Sequence, residues 1–534
     1  MTTHDAVVVG GGPNGLVAAN HLADAGWSVL VLEAQDEVGG GVRSDRELHP
    51  DFVHDTFSAF YPLAPLSTGL KALELERHGL EWCHAPAVLG HPLPDGRWAV
   101  LHRDRDITAG LMEDQHAGDG AAWLELCAMW DRIGGPLVDG LTGPFPPVRA
   151  GVRVLNALRA AGGLDLVRTL LTPASAIGRH RFGGDAAGLL ISGNAGHADI
   201  PIGTPGSGVF GLLLTMLGQT VGFPVPRGGA GQLAGVLRRR LESVGGEVLT
   251  STKATRVVVE GGRAVAVETE HGERHDARRA VVADVSALHL FGGGGSWSGL
   301  LDDEHVPARV RRGMKSFELD PGTVKVDWAL DGPVPWASPP PYAAGTVHVA
   351  DSVDQMAMAL AQVAAHTIPA DPFLLTGQMT TSDPSRSPAG TESFWAYTHV
   401  PQDDAPVTDG GDGTVRGVWD RDDCERFGDR IQARIERLAP GFGSRIVSRR
   451  VLGPRELEER NANLVGGSLN GGTAQLHQEL VLRPVPALLG RPETGVRGLY
   501  LGSASAHPGG GVHGAPGHNA ARAALLHHRT HLRR

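Results

Sequence analysis

The feature that most constrains the fold is a strand–turn–helix–strand pattern in residues 5–34, DAVVVGGGPNGLVAANHLADAGWSVLVLEA. A short apolar run that ends at Gly10 is typical of a buried strand, and the apolar residues that follow recur at helical spacing up to Gly26. A second apolar run predicts the next strand. Gly10, Gly12 and Gly15 stand in G-x-G-x-x-G spacing between the first strand and the helix. This order predicts a Rossmann-type βαβ unit that binds a dinucleotide.

Each glycine of this turn has a separate predicted role. Gly10 permits the sharp turn, Gly12 lets the backbone approach a pyrophosphate, and Gly15 lets the helix pack close to the strand. Glu33 ends the second strand, where a carboxylate holds a ribose hydroxyl and disfavours the 2′-phosphate of NADP. We therefore assign cofactor contacts in this unit to Gly10, Gly12, Pro13, Asn14, Gly15 and Glu33.

Composition indicates a large globular protein that does not bind nucleic acid. The chain has 534 residues, 41% of them hydrophobic and 20% charged, which suits roughly two to four domains and is too apolar for disorder. The net charge is −11 and no basic cluster occurs. The three cysteines form no C-x-x-C pair, which excludes a local redox dithiol and fits a reducing compartment. Since no second G-x-G-x-x-G occurs, we expect a single dinucleotide.

We expect a soluble protein in the cytoplasm. The first residues, MTTHDAVVVGGG, show neither the charged region nor the cleavage site of a secretory signal. The most membrane-like segment, residues 207–225, contains polar residues, glycines and a proline, so it predicts a buried helix or a wall around an apolar ligand. Residues 148–171 predict a helix with one basic face, which suits a membrane surface or, as we favour, plain solvent.

A second glycine motif, DEVGGGVRS, follows the βαβ unit. It resembles the R-x-G-G-R-x-x-S/T motif of flavoproteins in the amine oxidase and phytoene desaturase superfamily. Gly39, Gly40 and Ser44 match, whereas Glu37 and Gly41 stand where the motif has arginines. The resemblance implies FAD contacts from Gly40, Gly41, Arg43 and Ser44.

A third glycine-rich segment lies near the C-terminus, at residues 498–526, GLYLGSASAHPGGGVHGAPGHNAARAALL. It predicts a strand that ends at Gly502, a loop, and a helix with Pro516 in its first turn, so a second helix N-terminus is directed at a ligand. The loop resembles the T-H-P-G-x-G-x-x-G sequence of bacterial phytoene desaturases and related carotenoid isomerases, which lies beside the isoalloxazine ring; Ala506 replaces the threonine. The resemblance implies FAD contacts from Gly502, Ser503, Gly511, Val512, His513 and Gly514.

Over nearly the whole chain, the sequence is similar to phytoene dehydrogenase-related flavoproteins. This implies an α/β fold with a three-layer, Rossmann-like FAD-binding domain that is discontinuous in sequence, and an α+β substrate domain. The expected FAD-binding parts are residues 1–75, 226–290 and 490–534, and the expected substrate parts are residues 76–225 and 291–489. The resemblance also implies that the backbone of Ala254 contacts adenine, with a plain structural role as the alternative.

The resemblance implies an FAD-dependent oxidoreductase in which hydride passes from a small, mostly apolar substrate to flavin N5 and leaves a double bond. His507 and His513 are the candidate catalytic residues; loop histidines bonded to backbone are the alternative. Lys325 is similar in place to the lysine near N5 in amine oxidases, although a surface position is favoured. We expect no metal site. A redox-neutral flavin-dependent isomerase, an FAD-dependent amine oxidase and a non-catalytic FAD-binding protein stay open.

Overall fold

The computed structural model describes residues 3–146, 151–153, 162–293, 298–402 and 406–531. The strands are β1 (Thr3–Val9), β2 (Val29–Leu32), β3 (Ser44–Asp45), β4 (His54–Asp55), β5 (Trp82–Cys83), β6 (Ala87–Pro92), β7 (Trp98–Leu101), β8 (Val225–Pro226), β9 (Glu247–Leu249), β10 (Ala254–Glu260), β11 (Arg263–Thr269), β12 (Arg274–Ala283), β13 (Gly322–Leu330), β14 (Ala344–Val349), β15 (Thr367–Ile368), β16 (Leu374–Gln378), β17 (Glu392–Val400), β18 (Thr408–Asp409), β19 (Ile446–Leu452) and β20 (Leu499–Leu501). The α-helices span Pro13–Asp24, Thr68–Lys71, Arg105–Gln115, Asp119–Thr142, Leu164–Leu171, Ala174–Arg181, Ala186–Gly196, Ser207–Thr220, Gly231–Ser243, Ala287–Phe291, Ala308–Met314, Val353–Ala364, Met379–Ser382, Arg421–Leu438, Pro454–Arg460 and Ala515–His531.

The first large sheet is built from distant parts of the chain. Parallel strands run in the order β20, β12, β1, β2 and β9, and β12 continues into an antiparallel meander with β11 and β10. Helices Pro13–Asp24 and Ala515–His531 cover one face of this sheet, and apolar residues from segments 287–314 and 485–496 pack on the other. Its central strands are therefore apolar runs buried on both sides. The strand–turn–helix predictions at both ends of the chain are confirmed. The domain boundaries themselves stay a prediction.

The second large sheet has the order β19, β13, β17, β16, β14, β6 and β7. In β13 and β17 the side chains alternate: one face carries large apolar residues that pack into a core, and the other, here called the polar face, carries polar and ionic residues together with Trp395. The pairing sets Lys325 opposite Tyr397 and Thr323 opposite His399, so these four side chains share the polar face.

Helices between residues 105 and 220 form a cluster beside the second sheet. Helix Ser207–Thr220 lies within this cluster with most of its residues buried, as the sequence predicted. Of the helices that the structure describes, none combines the length and apolar character needed to cross a bilayer. For the basic helix expected at residues 148–171, the structure describes helix Leu164–Leu171, whereas residues 148–150 and 154–161 lie outside the described ranges.

Two surface segments are held by specific contacts. Thr408–Asp409 forms β18, which pairs with β15 in parallel. In the C-terminal helix, the hydroxyl of Tyr500 lies 2.9 Å from His527 Nδ1 and the ring of His528 packs on Trp27 at 5.5 Å. The helix continues this far because its inner face packs on the first sheet.

Candidate functional site

A cavity lies at the carboxyl edge of the first sheet. Three parallel strands end there, β1 before Gly10, β12 before Asp284 and β20 before Gly502, and the loops that follow them meet at the cavity wall. The cavity measures about 290 Å³ and extends toward the polar face of β13 and β17. The carboxyl edge of a parallel sheet is the usual ligand site of such folds.

The first glycine turn forms one end of this cavity. Gly10 has φ of +98°, and a Cβ there would lie 2.6 Å from the carbonyl oxygen of Asp284, so only glycine fits. A Cβ at Gly15 would overlap the carbonyl oxygen of Gly10, because the helix starts against the strand. Gly12, Pro13 and Asn14 line the cavity. This turn therefore has the tight backbone that the sequence predicts.

Glu33 is buried at the end of β2, where its carboxylate is already ordered by the backbone. One oxygen accepts the N–H of Gly11 at 2.7 Å and the other accepts the N–H of Gln35 at 2.9 Å. Burial raises the pKa of Glu33, although these two hydrogen bonds act in the opposite direction. Ala254 begins β10, two residues after Thr252, whose N–H donates to the carbonyl of Glu33. Among the described cavity-lining residues neither Glu33 nor Ala254 occurs.

Asp284 is a cavity residue that the sequence analysis missed. It is fully buried, and its Oδ2 accepts the N–H of Gly15 at 2.7 Å at the start of helix Pro13–Asp24. Burial, with a smaller contribution from the nearby Glu33, raises the pKa of Asp284 well above its usual value. This shift disfavours a negative charge on Asp284 and so reduces the repulsion of an anion at this helix end. The signal was an aspartate directly after a buried strand, in RRAVVADVSA.

The second glycine motif splits into a part at the cavity and a part away from it. Gly40 and Gly41 line the cavity. Arg43 instead donates to Glu37 at 2.7 Å and to the carbonyl of Arg460 at 3.1 Å. Ser44 donates to Asp55. Arg43 and Ser44 thus order the loop, and the structure does not bring them to the cavity wall.

Asp55 belongs to a buried ionic cluster behind this loop. Arg386 lies 2.9 Å from Asp55 and 3.1 Å from Asp383, and all three side chains are fully buried. A second oxygen of Asp55 accepts hydrogen bonds from Ser44 and from the backbone of Ala230. Arg386 thereby joins the second glycine motif to distant parts of the chain.

The C-terminal loop forms the opposite wall. Gly502 ends β20, and Ser503, Gly511 and Val512 line the cavity. Gly514, with φ of +64°, lies against Val17 where helices Pro13–Asp24 and Ala515–His531 cross near their N-termini. The first turn of helix Pro13–Asp24 and the loop that leads into helix Ala515–His531 therefore border one cavity.

The two candidate catalytic histidines lie in this loop but not at the cavity. His513 is buried, its Nδ1 accepts the N–H of Ala515 at 3.1 Å, and its Nε2 lies 3.2 Å from the carbonyl of Gly510. Burial lowers the pKa of His513 to about 4. His507 is buried, with its ring 6.1 Å from that of Phe145. Neither histidine is among the described residues that line the cavity, and their catalytic role stays a prediction.

Lys325 is buried, which corrects the expectation of a surface lysine. Only 3% of it is exposed, it lines the cavity, and its ammonium pairs with Asp327. Arg450 contacts the same carboxylate at 2.8 Å and Asp45 at 2.9 Å. Burial lowers the pKa of Lys325, and Asp327 opposes that change. The missed signal was the period-two alternation of TVKVD, which sets Thr323, Lys325 and Asp327 on one face of β13.

Tyr397, His197 and Asn470 complete the polar wall of the cavity. His197 Nε2 lies 2.8 Å from His348 Nε2, so the two rings share a proton, and burial lowers the pKa of His197 to about 3. Asn470 donates to Asp199 at 2.6 Å. Burial raises the pKa of Tyr397 well above its usual value. At neutral pH both Tyr397 and His197 are therefore uncharged.

These features fit a bound dinucleotide. Asn14 Oδ1 is buried without a partner in the described part of the chain, so it can accept a hydrogen bond from a ligand. A Cβ at Gly41 would meet no protein atom within 4 Å, so open space adjoins that backbone. Two helix N-termini at the same cavity favour an anionic group such as a pyrophosphate.

The comparisons with known proteins agree with this geometry. Residues 8–65 match the model of the NAD(P)-binding Rossmann-like domain. Pyridine nucleotide-disulfide oxidoreductase domain-containing protein 2 of Mus musculus is 27% identical over 97% of this chain and 92% of its own length. Prolycopene isomerase 2, chloroplastic, of an Oncidium hybrid cultivar is 23% identical over 95% and 81%, and hydroxyneurosporene desaturase of Cereibacter sphaeroides is 25% identical over 95% and 94%.

Solved structures show the same fold at low sequence identity. An oxidoreductase from Methanosarcina mazei superposes with a TM-score of 0.60 and 15% identity, over 98% of this chain and all of that one. Cyclohexylamine oxidase from Brevibacterium oxydans superposes with a TM-score of 0.58 and 14% identity, over 99% of this chain and all of that one. The mixed α/β architecture, with its Rossmann-like unit, is therefore that of these oxidoreductases.

Proposed function

We propose that this chain, an oxidoreductase related to the phytoene desaturases within the amine oxidase superfamily, is FAD-dependent. It would desaturate or dehydrogenate a small, mostly apolar substrate. One observation carries the proposal: both glycine turns and both helix N-termini adjoin a single cavity, whose far side is walled by aromatic and polar side chains. Hydride chemistry needs an acceptor and a substrate held in one water-poor space.

The chain's own residues supply the binding of FAD. The N-termini of helices Pro13–Asp24 and Ala515–His531 stabilise negative charge, and Gly12, Gly41 and Gly511 let backbone lie close to the cofactor. Glu33 would hold the ribose through a carboxylate that two backbone N–H groups already orient. When bound, FAD supplies an acceptor for hydride from a substrate C–H bond.

The far side of the cavity would position the substrate. Phe57, Phe60 and Trp395 give apolar contact area and exclude water. Lys325 and Tyr397 are paired on β13 and β17 and both line the cavity, where they can orient a polar group or hold a proton. His507 and His513 do not line the cavity, so we propose a positioning role in the C-terminal loop, which His513 holds through Ala515 and Gly510.

A redox-neutral double-bond isomerase is the second candidate, favoured by the similarity to prolycopene isomerase 2 over 95% of this chain. Both reactions suit an apolar cavity beside a flavin. An isomerase does not consume the reduced cofactor, whereas a dehydrogenase transfers electrons from the substrate to the flavin. Measuring the electrons transferred per product therefore distinguishes the two reactions.

We also propose that the protein works in the cytoplasm with a small-molecule substrate and without nucleic acid. Cys83, Cys127 and Cys424 are free and buried, which fits a reducing compartment. The net charge of −11 disfavours a polyanionic partner.

The test begins with the visible spectrum of the purified protein, which should be yellow and release FAD on denaturation. The holoenzyme is then mixed anaerobically with a panel of polyenes, alcohols and amines. Bleaching by a polyene or an alcohol supports dehydrogenation, and bleaching by amines alone supports amine oxidation. Rearrangement of a polyene by the pre-reduced enzyme, without net oxidation, supports the isomerase. A protein that is colourless and takes up no added FAD would falsify the proposal, whereas a yellow protein inert to the whole panel favours a non-catalytic role.

A further inference from the structure

The cavity has an apolar side that suits a hydrocarbon body. Phe57, Phe60, Trp395, Leu464 and Leu469 line it. Burying such a surface against an apolar ligand is favourable, because it removes apolar area from water. These side chains alone could bind a ligand that is a pure hydrocarbon.

Polar atoms that the protein leaves unsatisfied lie beside these apolar groups, since the ring of Tyr397 stacks on that of Trp395 at 5.8 Å. In the described part of the chain, no residue hydrogen-bonds to the hydroxyl of Tyr397, to Nδ1 of His197 or to Oδ1 of Asn470. His197 already uses Nε2 on His348, and the Asn470 amide donates to Asp199, so in each case one defined atom remains for a ligand. All three residues keep partial exposure, and all three line the cavity.

A hydrocarbon would leave these atoms buried and unpaired. An unmade hydrogen bond at a buried polar group costs more than a made one contributes, so such a wall discriminates strongly between ligands that can and cannot pair with it.

Burial and ion pairing also limit the charge of this wall. Its titratable residues are His197, Asp284, Lys325 and Tyr397. Lys325 is compensated by Asp327, and Arg450, which shares Asp327, is compensated by Asp45. Burial shifts the pKa of the other three toward their uncharged forms. A charged ligand group would lose its hydration here, and burial disfavours a counter-charge on the three residues that could supply one.

We infer that the substrate of this site carries one uncharged hydrogen-bonding group, a hydroxyl or a carbonyl, on an apolar body, and that Tyr397, His197 and Asn470 recognise that group. The inference rests on the proposed function, because it names the substrate class of the same cavity. It separates this chain from an enzyme for unsubstituted hydrocarbons and from one for ammonium substrates.

Four probes of one shape test the inference: benzyl alcohol, benzylammonium, benzoate and toluene. Their affinities for the purified holoprotein are measured by calorimetry at neutral pH, together with any change in the flavin spectrum. We expect benzyl alcohol to bind at least about tenfold more tightly than toluene and than either ion. Tightest binding of an ion, toluene within about threefold of the alcohol, or no detectable binding of the alcohol up to ~10 mM would each overturn the inference.

Tyr397→Phe provides the matched variant, because it removes one hydroxyl and keeps the ring. It should weaken benzyl alcohol by roughly five- to a hundredfold and leave toluene unchanged. Tyr342→Phe, outside the cavity lining, is the control and should change neither affinity. Equal weakening of all four probes by Tyr397→Phe would indicate a structural role and contradict the inference. If Tyr397→Phe does not fold, the four-probe ranking on the unaltered protein decides alone.

The calorimetric ranking does not need flavin. A protein that lacks FAD but ranks the probes as expected would contradict the proposed function and leave the polar recognition standing. A yellow protein that prefers toluene or an ion would do the reverse.

Discussion

The substitution Gly41→Ala tests the proposed cofactor site without disturbing the fold of this protein. Gly41 lines the cavity in the second glycine motif, and its φ is not in the left-handed region. A Cβ at this position would meet no protein atom within 4 Å. The added methyl group therefore enters open space in the protein, and only a ligand at that wall would contact it.

The expected changes in stability and in affinity have opposite signs. An unstrained Gly→Ala exchange stabilises a fold by about 0.4–1 kcal/mol, because it removes conformational freedom from the unfolded chain. Forcing one carbon into a packed contact costs about 1–3 kcal/mol. The free energy of unfolding of the Gly41→Ala apoprotein should thus stay level or rise, while its dissociation constant for FAD rises by roughly five- to 150-fold.

The assay is titration of apoprotein with FAD, followed by quenching of flavin fluorescence, beside urea unfolding of the same samples. Gly203→Ala is the matched control, since a Cβ at Gly203 also meets nothing within 4 Å and that residue lies outside the cavity lining. Gly203→Ala should bind FAD normally. Unchanged FAD affinity in Gly41→Ala would refute the placement of the cofactor along this wall. A large loss of stability would show that the space beside Gly41 is not open.

Three further predictions follow from charges and buried groups. Glu33→Gln keeps one acceptor of the two that bind backbone N–H groups, so FAD affinity should fall by roughly tenfold in the same titration, and an unchanged value would remove Glu33 from the site. Arg386→Met leaves Asp55 and Asp383 buried without their cation and should lower the free energy of unfolding by about 3–5 kcal/mol in urea, whereas a loss below about 1 kcal/mol would contradict the importance of that cluster. Burial lowers the pKa of His91 to about 4. Below pH 6.5 the unfolded chain therefore binds a proton at His91 that the folded chain does not bind, and the free energy of unfolding falls as pH falls from about 6.5 to 4. His91→Gln should flatten that slope by up to about 1.4 kcal/mol per pH unit, and an identical slope in both proteins would show that His91 is not buried in its neutral form.

The parts of the fold that could be predicted from sequence are those whose cause is local. The two strand–glycine turn–helix units are visible because Gly10 and Gly514 adopt positive φ, and glycine marks such positions. The hydrogen bond from Arg43 could not be predicted, because the carbonyl that accepts it belongs to Arg460, more than four hundred residues away in the sequence. Asp284 was missed for the same reason: its role depends on β12 lying beside β1, and only the sheet order shows this.

The polar wall of the cavity illustrates a different limit. The alternation in TVKVD predicts which residues share a face of β13, but not whether that face meets solvent or a cavity. The answer depends on what covers the sheet, and here His197 and Asn470 come from segments far from β13. Lys325 was therefore expected at the surface, although its buried partner Asp327 stands only two residues away.

The departure of this chain from the second glycine motif has a consequence for how it would hold an anion. Arginine is replaced by Glu37, and the nearby Arg43 is neutralised by that same carboxylate at 2.7 Å. The described residues that line the cavity include no arginine, and Lys325 is paired on the far side. The favourable charge for a pyrophosphate then comes from two helix N-termini, each contributing about 0.3–2 kcal/mol. Because these dipoles belong to the backbone, substitution of surface cations should affect cofactor binding far less than changes to the glycines that bring the two helices to one cavity.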